Sequence, residues 1–231
     1  MPKRGIAAGE RDARTEYPVQ PGETWAVGPH RFYCGDLEAD AGKVVLELAG
    51  GHIDVVWTDP PWGGPQARMY RTIAEVDGRQ GRVVEWPEFL RAAVTAWSVC
   101  AGDVWVQSGL REEQDFVEAV EGAGGALLGS VPLTWPHPCC MLLFRFAGLG
   151  RPIPTLPYRE RSQTAARASL TASRAAGSSG VVADFCMGLG YAPKAAAALG
   201  FRFAGSELSP GRMAMAMRKT AQVVGEAARR L

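Results

Sequence analysis

Residues 181–207 have the sequence VVADFCMGLGYAPKAAAALGFRFAGSE, and the order of elements in this stretch predicts the class of fold. Its apolar beginning predicts a short strand that runs into a glycine turn at Gly188 and Gly190. An alanine-rich helix comes next, starting at a proline and stopping at a glycine, and a second strand follows it. Glu207 closes this strand, at nearly the spacing of about 20 residues between glycines and acid in dinucleotide-binding folds. The stretch predicts an α/β fold, although a G-x-G pair alone is equally typical of ordinary turns.

A second stretch, IDVVWTDPPW at residues 53–62, places an acid at the end of an apolar run. The run predicts a buried strand, which Pro60 and Pro61 stop because neither can donate to a sheet ladder. Asp59, the two prolines and Trp62 are therefore expected at the carboxyl end of a strand, the edge where open α/β sheets bind ligands. The alternative interpretation is a strand-ending turn in which Asp59 caps the next element.

A third motif lies upstream, where residues 25–36 have the sequence WAVGPHRFYCGD. Asp36 ends this motif, and the residues that follow predict a helix from Glu38 to Ala49. Two roles are open for Asp36, because its carboxylate can either bind a ligand or serve as the N-cap of that helix.

Together the three motifs resemble those of the DNA amino-methyltransferases, which methylate adenine N6 or cytosine N4 with S-adenosylmethionine. The Asp-Pro-Pro-Trp stretch is similar to their catalytic motif, residues 184–190 to their cofactor loop, and residues 25–36 to an opening found in bacterial and phage members. The catalytic motif precedes the cofactor loop here, which is the permuted, beta-group order. The resemblance implies a single Rossmann-like methyltransferase domain with a mostly parallel sheet and helices on both faces.

The resemblance also assigns the site residues and implies S-adenosylmethionine as the cofactor. Asp36 is expected near the adenine end of the cofactor, and Glu207 is expected on its ribose hydroxyls. The catalytic residues it implies are Asp59, Pro60, Pro61 and Trp62. The cofactor-binding residues it implies are Asp36, Asp59, Asp184, Cys186, Gly188, Gly190 and Glu207.

The residue types of the Asp-Pro-Pro-Trp motif suit this chemistry. The amino nitrogen of adenine or cytosine is a poor nucleophile, because its lone pair is delocalised into the ring. A carboxylate and a backbone carbonyl held by rigid prolines can accept both N–H bonds and localise that lone pair. Each charge-assisted hydrogen bond supplies roughly 1.5–3 kcal/mol. Trp62 would stack on an extruded base, which is worth about 1–3 kcal/mol in single-strand binders.

Composition limits what remains to be predicted about domain number, location and ligands. The 231 residues predict one α/β domain, and no apolar run is long enough for a membrane span. Five scattered cysteines fit a reducing cytoplasm. His137, Cys139 and Cys140 lack the partner ligands of a zinc motif, so no metal site is predicted. A net charge of +1 does not predict general binding to polyanions.

Predictions also follow for three segments outside the motifs. Residues 1–19 are polar and basic and predict a disordered tail, which leaves residues 20–231 as the methyltransferase domain. Residues 150–180 predict a mobile basic connector that either contacts phosphates or is a solvated loop. The connector stands in the position of a reduced target-recognition segment, so the protein is expected to have loose specificity, to form a homodimer or to use a recognition partner.

Residues 63–82 predict a loop over the site, in which Tyr70 is a candidate to touch the base.

The motifs leave the substrate open between several alternatives. Methylation of adenine N6 in DNA ranks first, and cytosine N4 in DNA presents the same amino geometry. Adenine N6 in RNA ranks lower, because the opening motif and the motif order are those of DNA enzymes. A cofactor-binding but inactive partner subunit ranks last, because Asp59, Gly188, Gly190 and Glu207 are all intact.

Overall fold

A computed structural model of the chain describes residues 8–76, 85–133, 138–148, 150, 152–155 and 162–231, and the described residues form one nine-stranded sheet. Most strands are short apolar runs that are buried along their length. The strands in chain order are β1 (Thr24–Val27), β2 (His30–Cys34), β3 (Ile53–Thr58), β4 (Cys100–Gly109), β5 (Ala126–Leu133), β6 (Cys139–Arg145), β7 (Val181–Asp184), β8 (Arg202–Glu207) and β9 (Arg229–Arg230).

The order of strands across the sheet is β5-β6-β4-β3-β7-β8-β2-β1-β9. The five central strands, from β4 to β2, are parallel to one another, and the strands beyond them on either side pair antiparallel. Strands β5 and β6 form an antiparallel pair at one edge of the sheet. The sheet is therefore mostly parallel, as the sequence predicts.

Helices cover both faces of this sheet, which gives the parallel strands their continuous apolar character. They are α1 (Ala8–Glu16), a π-helical turn (Leu37–Ala41), α2 (Gly42–Leu48), α3 (Gly64–Val76), α4 (Trp86–Trp97), α5 (Glu113–Gly122), α6 (Ser162–Ala175), α7 (Tyr191–Ala198) and α8 (Pro210–Val224). Helices α1, α6, α7 and α8 contribute to one apolar core, while α2, α4 and α5 contribute to the other. Trp57 and Trp105 are buried in the first core and Trp97 in the second.

The sheet has a topological switch point between β3 and β7. From β3 the chain continues through α4 to β4 on one side, and from β7 it continues through α7 to β8 on the other. The register pairs Val55 with Val182 and Val56 with Ala183, so the carboxyl ends of β3 and β7 lie side by side. In an open α/β sheet the crevice at such a point is where ligands bind.

The prediction of a disordered tail over residues 1–19 is wrong for the part that the structure describes. Residues 8–16 form α1, which packs on α8, and Ala13, Tyr17 and Val19 are buried. The sequence does not predict this helix, because apolar residues are few and widely spaced in it. The remaining residues, 1–7, lie outside the described part of the chain.

Two segments predicted as loops contain helices instead. Residues 64–76 form α3, and residues 162–175 form α6, while residues 77–84 and 156–161 lie outside the described residues. The mobile connector predicted for 150–180 is therefore wrong over α6, which buries Ala165, Ala166 and Leu170 in the core. Alanine and serine at these positions allow close packing on the sheet, which the composition of the segment does not reveal.

A buried polar network ties α6 to the sheet. Arg145 on β6 donates a 2.8 Å hydrogen bond to Oδ1 of Asp103 on β4. The hydroxyl of Ser173 donates to Oδ2 of Asp103 at 2.6 Å and accepts from the indole N–H of Trp105 at 2.8 Å. Arg145 also donates to the carbonyl of Pro152 at 2.7 Å. The carboxylate is thus satisfied on both oxygens, as a buried charge requires.

No helix among the described residues has the length and apolar character needed to span a bilayer.

Candidate functional site

Four strands of the sheet end at one edge, and each end delivers an acid. Glu207 is the last residue of β8, and the register aligns it with Cys34 at the end of β2, from which the chain continues to Asp36. Asp184 is the last residue of β7, and Asp59 follows β3 directly. These acids lie far apart in the sequence, and they meet because parallel strands carry their carboxyl ends to the same edge.

These ends surround a cavity of about 270 Å³. Its wall includes Asp36, Asp59, Pro61, Asp184, Cys186, Gly188 and Glu207 from the predicted site. Tyr70 and Arg71 from α3, Tyr191 from α7 and Arg212 from α8 complete the polar part of the wall. The cavity thus joins the Asp-Pro-Pro-Trp motif to the glycine loop in one continuous space.

Asp59 is held by the motif to which it belongs. The indole N–H of Trp62 donates a 3.1 Å hydrogen bond to its Oδ1, and the backbone N–H of Trp62 donates to the side-chain oxygen of Gln66. Burial raises the pKa of Asp59 to about 7, while the Trp62 hydrogen bond and the charge of Arg212 act in the opposite direction. The carboxyl group therefore changes protonation state near neutral pH.

The glycine loop after β7 is fixed by hydrogen bonds to two acids. The backbone N–H of Cys186 donates to Oδ1 of Asp184 at 3.0 Å, and the backbone N–H of Gly188 donates to Oε2 of Glu207 at 2.8 Å. Gly188 has a φ of 51°, in the left-handed region that favours glycine. Burial raises the pKa of Asp184 to about 8, assisted by the nearby charges of Asp59 and Glu207.

Glu207 connects the loop to the following helix. Its Oε1 accepts from the backbone N–H of Ser209 at 2.9 Å, beside the start of α8. Burial raises the pKa of Glu207, against the charge of Arg212 and the N–H donors of Ser209 and Gly188. The backbone N–H of Leu208 is a third donor to this carboxylate. Since an ionised carboxylate has about four acceptor sites, one of them is left for a ligand.

Asp36 both caps a helical turn and lines the cavity, so its two predicted alternatives are not exclusive. Its Oδ1 accepts from the backbone N–H of Glu38 at 3.1 Å, which caps the π-helical turn Leu37–Ala41. Its Oδ2 accepts from Nη1 of Arg71 at 3.2 Å, and Arg71 also forms an ion pair with Glu38. Two short elements, this turn and α2, replace the single helix predicted from Glu38 to Ala49.

Three predicted site residues do not line the cavity, namely Pro60, Trp62 and Gly190. Pro60 and Trp62 shape the turn that presents Asp59. Gly190 has a φ of 81°, and a Cβ there would lie 2.6 Å from Cα of Ala216, so its role in the structure is the close packing of α7 on α8. Its assignment to cofactor binding stays a prediction from the resemblance.

Sequence reasoning missed Arg71 and Arg212 and treated Tyr70 as part of a loop. The guanidinium carbon of Arg212 lies 4.6 Å from the centre of the Tyr70 ring. The sequence carries a weak signal for Arg212. A basic residue in the first turn of a helix is unfavourable for the helix dipole, which indicates a role other than stabilising that helix. No sequence signal links Arg71 to Asp36, since α3 was expected to be a loop.

No protein-family model matches the chain, and no curated protein matches it in sequence. Solved structures do match it, with low sequence identity and nearly complete coverage. The M1.HpyAVI–SAM complex is 13% identical, with a TM-score of 0.54 over 82% of this chain and 98% of that one. TTHA0409, a putative DNA modification methylase from Thermus thermophilus complexed with S-adenosyl-L-methionine, is 19% identical, with a TM-score of 0.56 over 84% and 94%. PvuII DNA methyltransferase, described as cytosine-N4-specific, is 10% identical, with a TM-score of 0.55 over 90% and 97%.

The chain therefore has a Rossmann-like methyltransferase fold, with a large, mostly parallel sheet between two layers of helices. This confirms the fold class that the sequence motifs imply. Among these neighbours, PvuII is described as a DNA methyltransferase and TTHA0409 as a putative DNA modification methylase, and M1.HpyAVI and TTHA0409 were solved with S-adenosylmethionine.

Proposed function

We propose that the protein transfers a methyl group from S-adenosylmethionine to the exocyclic amino group of a base in DNA, with adenine N6 as the preferred target. The observation that carries this proposal is the single cavity that joins Asp59 to Asp184, Gly188 and Glu207 at the switch point of the sheet. A methyl donor bound by the glycine loop would there face the acceptor that holds the amino group. The structural neighbours, two of which were solved with this cofactor, support the same reaction.

The residues of the cavity fit this cofactor. Glu207 has one acceptor site left for a ribose hydroxyl, and Gly188 leaves room for close approach of a ligand because it lacks a side chain. Asp36 offers an acceptor for an adenine amino group, and Cys186 lines the wall between these sites. The excess of carboxyl groups over the two arginines in the wall suits a ligand with a positively charged sulfonium. When bound, the cofactor supplies an electrophilic methyl group.

On the base side, Asp59 accepts one N–H of the amino group, and a backbone carbonyl of the proline turn accepts the other. These two acceptors localise the nitrogen lone pair for the methyl group that the cofactor would supply. The methylated nitrogen would carry a positive charge and lose one proton, which the adjacent carboxylate of Asp59 would take. Trp62 orients Asp59 through its indole N–H and offers its ring to an extruded base.

The direct test uses recombinant protein, labelled S-adenosylmethionine and four substrates: unmodified genomic DNA, single-stranded DNA, RNA and a DNA without adenine. Nucleoside mass spectrometry identifies the product, and N6-methyladenine in DNA is the expected result. N4-methylcytosine would assign the second alternative, for which the likeness to the cytosine-N4-specific PvuII enzyme is the supporting observation. N6-methyladenine confined to RNA would move the substrate to that polymer.

Cofactor binding without transfer to any of these polymers would favour the inactive partner subunit. Sedimentation of the protein with and without DNA tests the proposed homodimer. The permuted motif order and the single methyltransferase domain are part of the same proposal, with α1 as a packed addition to the domain. Restriction-resistance mapping of DNA from expressing cells would define a recognition sequence, if specificity is not loose.

A further inference from the structure

Helix α3 follows the Asp-Pro-Pro-Trp motif directly and covers one side of the cavity. Over residues 64–72, whose side chains the structure describes, only Ala67 and Arg71 are buried, and Met69 is 42% exposed. A segment with so little apolar burial depends on its specific side-chain contacts for its position.

The buried contact of α3 is Arg71, which is 7% exposed and reaches the opposite wall of the cavity. There its guanidinium forms the 3.2 Å contact with Oδ2 of Asp36 and the ion pair with Glu38. The other oxygen of Asp36 is held by the N–H of Glu38 at 3.1 Å. Both oxygens of Asp36 are thus fixed, and one of the two partners belongs to α3.

We propose that Arg71 is a positioning residue that orients Asp36 toward the adenine end of the cofactor and, through the same contact, holds α3 and Tyr70 over the base side of the cavity. The inference rests on the proposed function, because it takes the cofactor to bind at Asp36. The rigid, planar guanidinium can serve two carboxylates at once, which an ammonium group does less well.

This arrangement couples the two ends of the cavity. Oδ2 of Asp36 has a second lone pair, so it can accept from an adenine amino group while Arg71 stays bound. Cofactor at Asp36 therefore strengthens the anchor of α3, and an ordered α3 strengthens cofactor binding, since coupling between sites is reciprocal. Tyr70 lies next to Arg71 in the chain and over Arg212, so the anchor also sets the wall that meets the base.

The test compares wild type with Arg71→Met, Arg71→Lys and the control Arg68→Met, which removes an exposed arginine one turn earlier on the same helix. Hydrogen exchange is followed by mass spectrometry at residues 64–72 and at the glycine loop, with and without saturating S-adenosylhomocysteine. Calorimetry gives its Kd. Circular dichroism verifies that each variant is folded.

In wild type and Arg68→Met, S-adenosylhomocysteine should slow exchange in both segments. In Arg71→Met it should still protect the glycine loop but no longer protect 64–72, and the Kd should rise by about tenfold. Arg71→Lys should restore part of both effects. In an Asp36→Asn background, Arg71→Met should change the Kd little further, because the two residues act through one contact.

Two results would overturn the inference while leaving the proposed function intact. One is ligand-induced protection of 64–72 that persists in Arg71→Met. The other is equal exchange of this segment in wild type and Arg71→Met without ligand, which would mean that Arg71 does not hold α3. Failure of the wild type to bind S-adenosylhomocysteine would instead refute the proposed function, and with it the role of Asp36 on which the inference depends.

Discussion

The indole N–H of Trp62 donates a 3.1 Å hydrogen bond to Oδ1 of Asp59, three residues earlier in the chain. The aromatic residue of the motif therefore does more than offer a flat face to a base. It supplies a donor that stabilises the ionised form of Asp59, whose pKa burial raises to about 7. Trp62 and Asp59 form one unit, in which the orientation and the protonation of the acid depend on the indole.

Trp62→Phe should raise the pKa of Asp59 above its value in the wild type, because the ring stays and only the donor is lost. The acid limb of the pH–rate profile should move to higher pH, and the rate at pH 7 should fall by about tenfold, as expected for one hydrogen bond to a charged group. Rates measured from about pH 6 to about pH 9 test this, and an unmoved acid limb would contradict it. Cofactor affinity serves as the control, since Trp62 does not line the cavity.

Asp59→Asn should lower the rate of methyl transfer by about 10²–10³-fold, because the amide keeps the shape but weakens the acceptor for the amino group. The Kd for cofactor should rise much less than the rate falls, since Asp184, Gly188 and Glu207 remain and only the charge of Asp59 is lost. Single-turnover assays and calorimetry on the same preparation separate these effects. A loss of cofactor binding as large as the loss of rate would place Asp59 in cofactor binding instead.

The wild-type rate should increase as the pH rises through about 7, the pKa of Asp59, because only the ionised carboxylate accepts both from Trp62 and from the substrate. The positively charged cofactor, placed among these acids, should lower that pKa. The profile of kcat/KM measured at subsaturating cofactor should therefore have its acid limb at higher pH than the profile of kcat. If the acid limbs of the two pH profiles coincide, the result would argue against a cofactor site beside Asp59.

The free energy of unfolding should decrease as the pH rises from about 6.5 to about 8.5. Asp184 has a pKa of 3.8 when unfolded and about 8 when folded, so the folded chain binds this proton more tightly and loses that advantage as the pH approaches 8. His30, whose pKa burial lowers from 6.5 to about 4, is neutral in the folded chain over this window but half protonated in the unfolded chain at pH 6.5, so it offsets only about 0.4 kcal/mol of the decrease. Urea unfolding should show a decrease of about 1–2 kcal/mol in wild type and a smaller decrease in Asp184→Asn.

Gly190→Ala should destabilise the fold by about 2–4 kcal/mol, because the added Cβ meets Cα of Ala216 at 2.6 Å in addition to the cost of a positive φ. The matched control is Gly225→Ala, which has a φ of 78° and open space around its Cβ. The control isolates the backbone cost, expected at about 1 kcal/mol. Equal losses in urea unfolding would show that the packing of α7 on α8 tolerates the methyl group.

Arg145→Met should destabilise the protein by about 3–5 kcal/mol, since it leaves the buried Asp103 without its charge partner. The double variant Arg145→Met with Asp103→Leu should recover part of this loss, because it removes the stranded charge. Thermal unfolding of the three proteins measures both values. A double variant that is no more stable than the single one would mean that the contacts to Ser173 and Pro152 dominate.

The elements that bear apolar periodicity could be predicted from the sequence, and those held by tertiary contacts could not. Strands β3, β7 and β8 lie where their apolar runs predict them. Helices α1, α3 and α6 escaped prediction because polar, charged and small residues are interspersed along them. The polar composition of these segments predicts no helices. In the structure α1 packs against α8, α3 against the cavity and α6 against the sheet, and these contacts stabilise them as helices.

By itself, the sequence determined the identity of the acids at the site and the strands that end at them. Local residue chemistry is sufficient for these predictions, because prolines stop a strand, glycines allow a turn and an acid after a strand lies at its carboxyl end. Only the tertiary structure decided which acids share a cavity and which cations face them. Arg71 and Arg212 come from helices whose sequences carry no motif, and their contacts with Asp36 and Tyr70 arise from how those helices pack over the sheet edge. Such contacts are long-range, so no local pattern of residues encodes them.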